Sequence, residues 1–189
     1  MSLRERAVTL GQWVTLGSLI GALSGLASAL FLSLLDLATD ARTGDERLVY
    51  LLPVAGLAIG LVYERHGQAI KAGNNLVIDR LSDGGPPVPP RMAPMVLVGT
   101  VLTHLFGGSA GREGTAVQMG ASLADGVSQR LRVSPGMRQQ LLAAGVAGGF
   151  GSVFGTPLAG AVFGMEVAVL GRLDIRALVP ALIASLVGD

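Results

Sequence analysis

The sequence predicts an all-α membrane protein, a polytopic helix bundle that combines spanning helices with short, broken ones. Apolar residues form 50% of the 189-residue chain and charged residues only 14%, whereas a soluble domain usually has about 25% charged residues. The mean hydropathy is +0.59. The apolar residues also gather in stretches of helical length, and glycine or proline interrupts several of these stretches.

The length of each apolar stretch decides what it can do, since crossing the hydrocarbon takes about 20 apolar residues. Residues 7–35 contain no charged side chain and easily suffice, and residues 92–111 also suffice. Residues 48–63 could span with their flanks, whereas residues 114–124 are too few to span alone. The pattern therefore combines complete spans with shorter helices.

A helix break is predicted inside the next apolar stretch, 139–165. Several glycines and Pro157 interrupt it, and we expect two helices that meet near 154–157. Thr156 and Pro157 form a suitable N-cap and first residue for the second helix. Short segments interrupted in this way are the usual sequence pointer to the binding site of a transporter.

Glycines recur every four residues on several predicted helices. Small residues at this spacing let helix backbones approach closely in lipid. We expect them to pack the helices into a compact bundle and to carry no chemistry. One set has three members, Gly17, Gly21 and Gly25. The others are the pairs Gly56 and Gly60, Gly145 and Gly149, and Gly160 and Gly164.

The basic residues indicate the orientation of the chain, because cytoplasmic loops carry an excess of Lys and Arg. Arg4 and Arg6 precede the first helix, and the loop 36–47 holds more acidic than basic residues. The next loop carries Arg65, Lys71, Arg80 and Arg91. We therefore expect a cytoplasmic N-terminus, an external 36–47 loop, and a stiff cytoplasmic connector at the proline run 86–90.

A single carboxylate, Glu113, lies between glycines at the boundary of two apolar stretches. Charged groups inside a bilayer are costly and tend to mark ion or proton pathways. The glycines leave backbone N–H groups uncovered, and amides that open a helix form an anion site. An anion-attracting surface and a negative side chain would then share one place, as in a gated anion pathway. The alternative is a structural acid that pairs with Arg112.

The same segment also permits an enzymatic interpretation, which we do not favour. Residues 107–111 fit the G-x-S-x-G nucleophile elbow, and His104 is nearby. That elbow requires a strand before its turn, whereas a helix is predicted here, and no histidine follows Ser109. We expect His104 to be a hydrogen-bonded core residue. A P-loop has even less support, because its Lys-Ser/Thr pair is missing.

The bulk composition limits cofactors and partners. The net charge is only +1, so we expect no nucleic-acid partner. The chain contains no cysteine, which excludes disulfides and thiolate metal sites. We therefore expect a protein that is not an enzyme and has no cofactor or metal. A non-transporting fragment whose helices only pack or dimerise is the alternative of another class.

Two blocks of sequence resemble the CLC family of chloride channels and anion/proton exchangers. Residues 111–120, Gly-Arg-Glu-Gly-Thr-Ala-Val-Gln-Met-Gly, are similar to the GREGP motif of that family. Residues 143–150 and 154–166 resemble its AAGAAAG…FNAPLAG…FxxE region, in the same order and at a similar separation. The resemblance implies that residues 1–189 form the first of two inverted repeats, the N-terminal half of a CLC-type transmembrane domain.

The resemblance also implies a set of site residues. Glu113 would be the gating and proton-accepting glutamate, and Asn74 would lie at the anion site. Asn74 and Asn75 could also simply cap a short helix at 76–81, which is compatible with anion binding because both use the helix N-terminus. Gln118 and Glu166 are further candidates for the pathway. The full set of expected anion-binding residues is Gly73, Asn74, Asn75, Gly111, Arg112, Gly114 and Thr115.

Three departures from the family pattern resemble its fluoride/proton antiporter branch. Asn74 stands where the anion-coordinating serine belongs, Thr115 replaces the proline of GREGP, and Val167 replaces an inner glutamate that relays protons in chloride/proton exchangers. A carboxamide N–H at Asn74 could donate a hydrogen bond to fluoride. The branch implies export of fluoride in exchange for protons. A chloride channel or chloride/proton exchanger is the alternative within the family.

The resemblance further implies a multi-pass protein of the prokaryotic plasma membrane whose partners are fluoride or chloride, protons and lipid. We expect a homodimer with contacts around 157–170 and 176–187. The second half of a CLC subunit is not found in these residues, so we expect a sequence truncated within its last helix, 177–188. A half-length protein that pairs with a second copy is the alternative.

Overall fold

In the computed structural model, which describes residues 3–167 and 173–189, every regular element is helical. Three short 3-10 turns, Glu46–Leu51, Gln68–Ile70 and Ile175–Ala177, lie between α-helices. The α-helices of the described residues are α1 (Leu3–Gly44), α2 (Leu52–His66), α3 (Asn74–Asp83), α4 (Met92–Leu105), α5 (Arg112–Arg130), α6 (Pro135–Phe154), α7 (Pro157–Glu166) and α8 (Leu178–Gly188). The all-α class is confirmed.

Among the described residues, two helical segments are long and apolar enough to cross a membrane. They are Thr9–Gly44 of α1 and the continuous segment Glu46–His66, which includes α2. The expectation that residues 92–111 suffice for a span is wrong, because α4 ends at Leu105 after 14 residues. At a rise of 1.5 Å per residue this is about 21 Å, less than the hydrocarbon thickness of about 30 Å. Gly107, with φ of +78°, turns the chain just after the helix.

Helix α6 lies at the centre of the bundle and packs against α1, α5, α7 and α8. Its residues from Leu141 to Gly149 are all buried. The glycine spacing makes this packing possible: a Cβ atom at Gly149 would lie 2.4 Å from the Ala116 carbonyl oxygen of α5. The predicted role of these glycines in close helix packing is therefore confirmed for α6.

Glycines also bring α1 against α8, but they do not do so on α2. A Cβ atom at Gly21 would lie 2.5 Å from the Ala184 carbonyl oxygen. In contrast, Cβ atoms at Gly56 and Gly60 would meet nothing within 4 Å, and α2 has no buried residue. The packing prediction is therefore wrong for this pair among the described residues, because the apolar face of α2 has few neighbours.

The break between α6 and α7 lies at the predicted place. Gly155 ends α6 in the left-handed conformation, with φ of +61°, which glycine adopts without a Cβ clash. Thr156 occupies the N-cap position and Pro157 begins α7, although the Thr156 side chain makes no capping hydrogen bond. The expected dimer segment 157–170 extends into residues 168–170, which lie outside the described chain.

The proline-rich connector is held against α5 by a buried carboxylate. Asp125 is fully buried and accepts a hydrogen bond of 2.7 Å from the Val88 backbone N–H. Arg138 of α6 donates two more to the same carboxylate, at 2.5 and 2.8 Å. Ser122 donates to the Pro89 carbonyl oxygen at 2.8 Å. The connector is therefore part of the packed structure and fixes how α3 and α4 enter the bundle.

Candidate functional site

The first turn of α5 presents Glu113 beside uncapped backbone amides. Gly111 precedes the helix in an extended conformation, and no side chain in the described residues caps it. Glu113 is exposed, and a Cβ atom at Gly111 would lie 3.1 Å from its Oε2 atom. The carboxylate therefore lies at the positive end of the helix dipole, where negative charge is stabilised. An anion at this place would compete with it.

Helix α3 begins earlier than expected. Its N-cap is Gly73, and Asn74 and Asn75 are its first two residues. The interpretation of these asparagines as caps of a helix at 76–81 is wrong, because neither side chain caps α3. Gly73 has φ of +58° and ψ of −126°, a conformation that favours glycine and turns the chain directly into the helix. The Asn74 side chain is therefore free of a capping role.

The fold brings the first turns of α3 and α5 together. The Gln118 Nε2 atom donates a hydrogen bond of 3.0 Å to Asn74 Oδ1, across 44 residues of sequence. The Asn74 Nδ2 atom lies 3.2 Å from the position that a Cβ atom of Gly114 would take. Gly73 is close to the same amide pair, since its Cβ position is 3.6 Å from Gln118 Nε2. Four residues of the expected site thus form one cluster.

The other expected site residues differ in their surroundings. Thr115 is buried, and its hydroxyl contacts the Thr100 hydroxyl at 2.7 Å and the Gly111 carbonyl oxygen at 3.1 Å. Its hydroxyl is therefore occupied inside the bundle. Arg112 is exposed, and none of the ion pairs among the described residues joins it to Glu113. The described contacts therefore do not support the alternative in which Glu113 pairs with Arg112.

Asn75 and Glu166 are less closely tied to the cluster. Asn75 is exposed at the second position of α3. Glu166 is half-buried and is the last residue of α7. Neither makes a side-chain contact with Glu113 or Asn74 in the described hydrogen bonds and ion pairs. Their expected roles remain predictions.

A cavity of about 320 Å³ lies between α2, α4 and α5, next to the cluster. Three threonine side chains, Thr100, Thr103 and Thr115, line it together with Tyr63 and Gln118. Gln118 therefore contacts Asn74 and also borders this cavity. Sequence reasoning did not find this cavity, since its threonines come from two helices and have no distinctive spacing.

The surroundings of His104 and the G-x-S-x-G segment do not support a nucleophilic site. The His104 Nδ1 atom lies 2.9 Å from the Thr100 carbonyl oxygen of its own helix, so the expected hydrogen bond is present, but the residue is half-buried and not in the core. The segment 107–111 follows helix α4, whereas a nucleophile elbow follows a strand. The helical context therefore argues against a hydrolase.

Comparison with known proteins identifies the family. Residues 55–189 match the family model described as voltage gated chloride channel. The chain belongs to the CLC family. The resemblance drawn from the motifs is thereby confirmed, and with it the class of integral membrane protein that the two long apolar helices fit.

Several CLC proteins are similar to this chain in sequence. It is 52% identical over 180 residues to the chloride/fluoride channel protein of Pseudomonas syringae pv. tomato. It is 33% identical over 165 residues to the H(+)/Cl(-) exchange transporter ClcA of Vibrio cholerae. The alignments cover 95% and 80% of this chain but 40% and 35% of the two relatives. The chain therefore spans less than half the length of these CLC relatives.

Solved CLC structures show the same arrangement of helices. A crystal structure of a CLC-type fluoride/proton antiporter matches with a TM-score of 0.91 and 35% identity. The match covers 100% of this chain and 47% of that one. A slow cyanobacterial Cl-/H+ antiporter matches with a TM-score of 0.70 at 24% identity, which supports the fold alone.

Proposed function

We propose that this CLC chain forms the first half of a membrane transporter that exports fluoride in exchange for protons. The observation that carries the proposal is the meeting of Asn74 with the first turn of α5, where Glu113 lies among uncapped amides. The relatives support the choice of ion: one is named a chloride/fluoride channel protein, and a solved structure is of a fluoride/proton antiporter. Residues 1–189 would be the first of two inverted repeats.

The proposed anion site uses the N-terminal amides of two helices. The first turns of α3 and α5 lie next to each other, since the Asn74 Nδ2 atom is 3.2 Å from the Cβ position of Gly114. The positive ends of both helices would attract an anion there, and Gly111 and Gly114 keep side chains away from the α5 amides. The Asn74 carboxamide supplies a donor there. Fluoride is small and strongly hydrated, so hydrogen-bond donors must replace its water. The proposed site also includes four neighbouring residues, Gly73, Asn75, Arg112 and Thr115.

Glu113 would couple the anion to the proton. As a carboxylate it competes with fluoride for the positive end of α5, and as a neutral acid it loses that attraction and can rotate away. Each protonation of Glu113 would therefore make the first turn of α5 available to an anion. Val167 follows α7 where chloride/proton exchangers have a second acid, and an alkyl side chain cannot carry protons. Proton transfer is thus assigned to Glu113, with Gln118 and Glu166 as neighbours of the pathway.

The membrane setting is part of the proposal. We place the N-terminus and the 86–90 connector in the cytoplasm of a prokaryotic cell, in the plasma membrane. Two copies would associate through α7 and α8, which expose large apolar side chains such as Leu158, Val162 and Leu186. A chloride channel or chloride/proton exchanger is the second candidate, because a relative with 33% identity is named an H(+)/Cl(-) exchange transporter.

Ion efflux from liposomes tests the proposed function. The protein is reconstituted as the 189-residue chain and, if its gene encodes a longer product, also as that product, and the vesicles are loaded with fluoride or chloride. Fluoride efflux accompanied by proton uptake is expected. Chloride efflux at an equal or greater rate would favour the second candidate. A protein that moves neither ion in either form would favour the packing or dimerisation alternative.

The Glu113→Gln variant tests the role of the carboxylate. An amide cannot take up a proton at neutral pH, so proton uptake during fluoride efflux is expected to disappear. Glu46→Gln is the matched control, since Glu46 is exposed at the start of a 3-10 turn outside the site. It should keep coupled exchange. Coupled exchange that survives in Glu113→Gln would show that another group carries the proton.

A further inference from the structure

We propose that Gln118 is a positioning residue that holds the Asn74 carboxamide with its NH2 group facing the first turn of α5. This inference rests on the proposed function, because it concerns how the fluoride site obtains its donor. It assigns to Gln118 a role in anion selectivity through Asn74, without contact with the ion.

The distances give the carboxamide a direction. Its oxygen, Oδ1, accepts the hydrogen bond of 3.0 Å from Gln118 Nε2. Its nitrogen, Nδ2, is the atom nearest to Gly114, at 3.2 Å from the Cβ position, while Oδ1 is 3.8 Å from that position. The oxygen thus faces Gln118 and the nitrogen faces the α5 backbone.

The positions of Gly114 and Gln118 on α5 make this arrangement possible. Residues four apart lie on the same face of a helix, so one face offers a gap at Gly114 and a donor at Gln118 one turn later. The Asn74 amide lies across both. A side chain at position 114 would occupy the space next to Nδ2. Gly114 therefore leaves room for the NH2 group, and Gln118 selects which edge of the amide occupies it.

The orientation matters because a carboxamide has one donor edge and one acceptor edge. Rotation by half a turn would direct Oδ1 to the α5 amides, and a carbonyl oxygen would repel an anion bound there. Asn74 is exposed, so packing does little to hold its rotamer. A serine hydroxyl at this place can rotate its proton toward the anion without help. An asparagine at position 74 thus needs a partner that a serine does not need.

Ion selectivity tests the proposal in a double-mutant cycle. Gln118→Glu and Gln118→Met are compared in the Asn74 protein and in the Asn74→Ser protein, in liposomes that contain the full gene product. The readout is the ratio of fluoride to chloride efflux rates. Gln118→Glu replaces the donor by an acceptor that draws the Asn74 NH2 group toward itself. It should lower the ratio of efflux rates about tenfold, because the free energy of a hydrogen bond to a charged group corresponds to a change of about that size. Gln118→Met, which removes the donor alone, should have a smaller effect.

The Asn74→Ser background separates a loss of Asn74 orientation from a general disturbance of the transport site. In that background Gln118→Met should leave the ratio unchanged within about twofold, because a hydroxyl needs no fixed orientation. An equal change in both backgrounds would overturn the proposal. So would an unchanged ratio for both Gln118 variants in the Asn74 protein.

A measurement of orientation is independent of transport. The chain contains two asparagines, so labelling of asparagine with 15N gives two side-chain NH2 signals, and Asn74→Ser assigns them. A nuclear Overhauser contact between the Asn74 NH2 protons and the Gly114 α-protons is expected in the unsubstituted chain and should be lost in Gln118→Glu. Its absence in the unsubstituted chain would overturn the proposal. Its presence in a protein that moves no fluoride would refute the proposed function alone.

Discussion

Replacement of Asp125 by alanine removes the acceptor that joins the proline-rich connector, α5 and α6. The carboxylate has no exposed surface and accepts hydrogen bonds from Val88, Arg138 and Gln129. Loss of one partner from a buried ion pair costs about 3–5 kcal/mol, because the other charge stays buried and unpaired. Arg138 keeps 19% of its side chain exposed, so water can partly solvate it. We therefore expect the lower end, a loss of about 3 kcal/mol in the free energy of unfolding.

Thermal unfolding in detergent measures this loss. For a protein of this size each kcal/mol shifts the midpoint by roughly 2–4 °C, so Asp125→Ala should lower it by about 6–12 °C. The matched control is Asp174→Ala, which removes another Asp–Arg pair of 2.8 Å whose Arg176 partner is 73% exposed. Exposed pairs contribute little to stability. If both variants shift the midpoint equally, the buried pair does not stabilise the bundle.

Two further measurements separate the ion pair from the connector. Amide hydrogen exchange at Val88 should become faster in Asp125→Ala, since its N–H loses the acceptor at 2.7 Å. Replacement of both charges, as Asp125→Leu with Arg138→Met, should recover part of the midpoint because no unpaired charge remains. The recovery should be incomplete, since the Val88 N–H still lacks its acceptor and an unsatisfied buried donor costs about 1–3 kcal/mol.

Two substitutions of glycine test the backbone packing. Gly120→Ala would place a Cβ atom 2.0 Å from the Gly145 carbonyl oxygen, and it should lower stability by at least about 3 kcal/mol or prevent folding. Gly56→Ala is the control, because a Cβ atom there meets nothing within 4 Å. An equal midpoint of thermal unfolding for both variants would refute the close contact. Gly155→Val forces a β-branched residue to φ of +61° and should cost at least about 1–2 kcal/mol in thermal unfolding. Gly155→Asn should be milder, and a valine variant as stable as the asparagine variant would contradict the left-handed end of α6.

Local sequence chemistry accounts for much of the fold. The break between α6 and α7 could be predicted because Gly155 and Pro157 act within one turn of their own positions. The close packing of α6 could also be predicted, since small residues four apart leave one helix face without side chains. The same rule failed for Gly56 on α2, because spacing describes one helix and does not say whether a neighbour lies against it.

The candidate site was only partly open to sequence reasoning. Glu113 stood out because a charge between glycines in an apolar region is costly and therefore tends to mark an ion or proton pathway. The start of α3 was misplaced by two residues, since asparagine is a common cap and the sequence does not reveal the backbone angles of Gly73. Asp125 and Arg138 carried no signal, because charged residues near the ends of helices are usually exposed.

The sequence by itself determined that this is a helical membrane protein of the CLC family, with a carboxylate at the uncapped start of α5. These properties follow from hydropathy, from glycine and proline, and from motifs whose residues are adjacent in the chain. Only the tertiary structure decided that Asn74 contacts Gln118 across 44 residues of sequence. The same is true of Asp125, which accepts hydrogen bonds from both the connector and α6. Contacts of that kind depend on how whole helices pack, and that packing is set by the sum of many weak interactions.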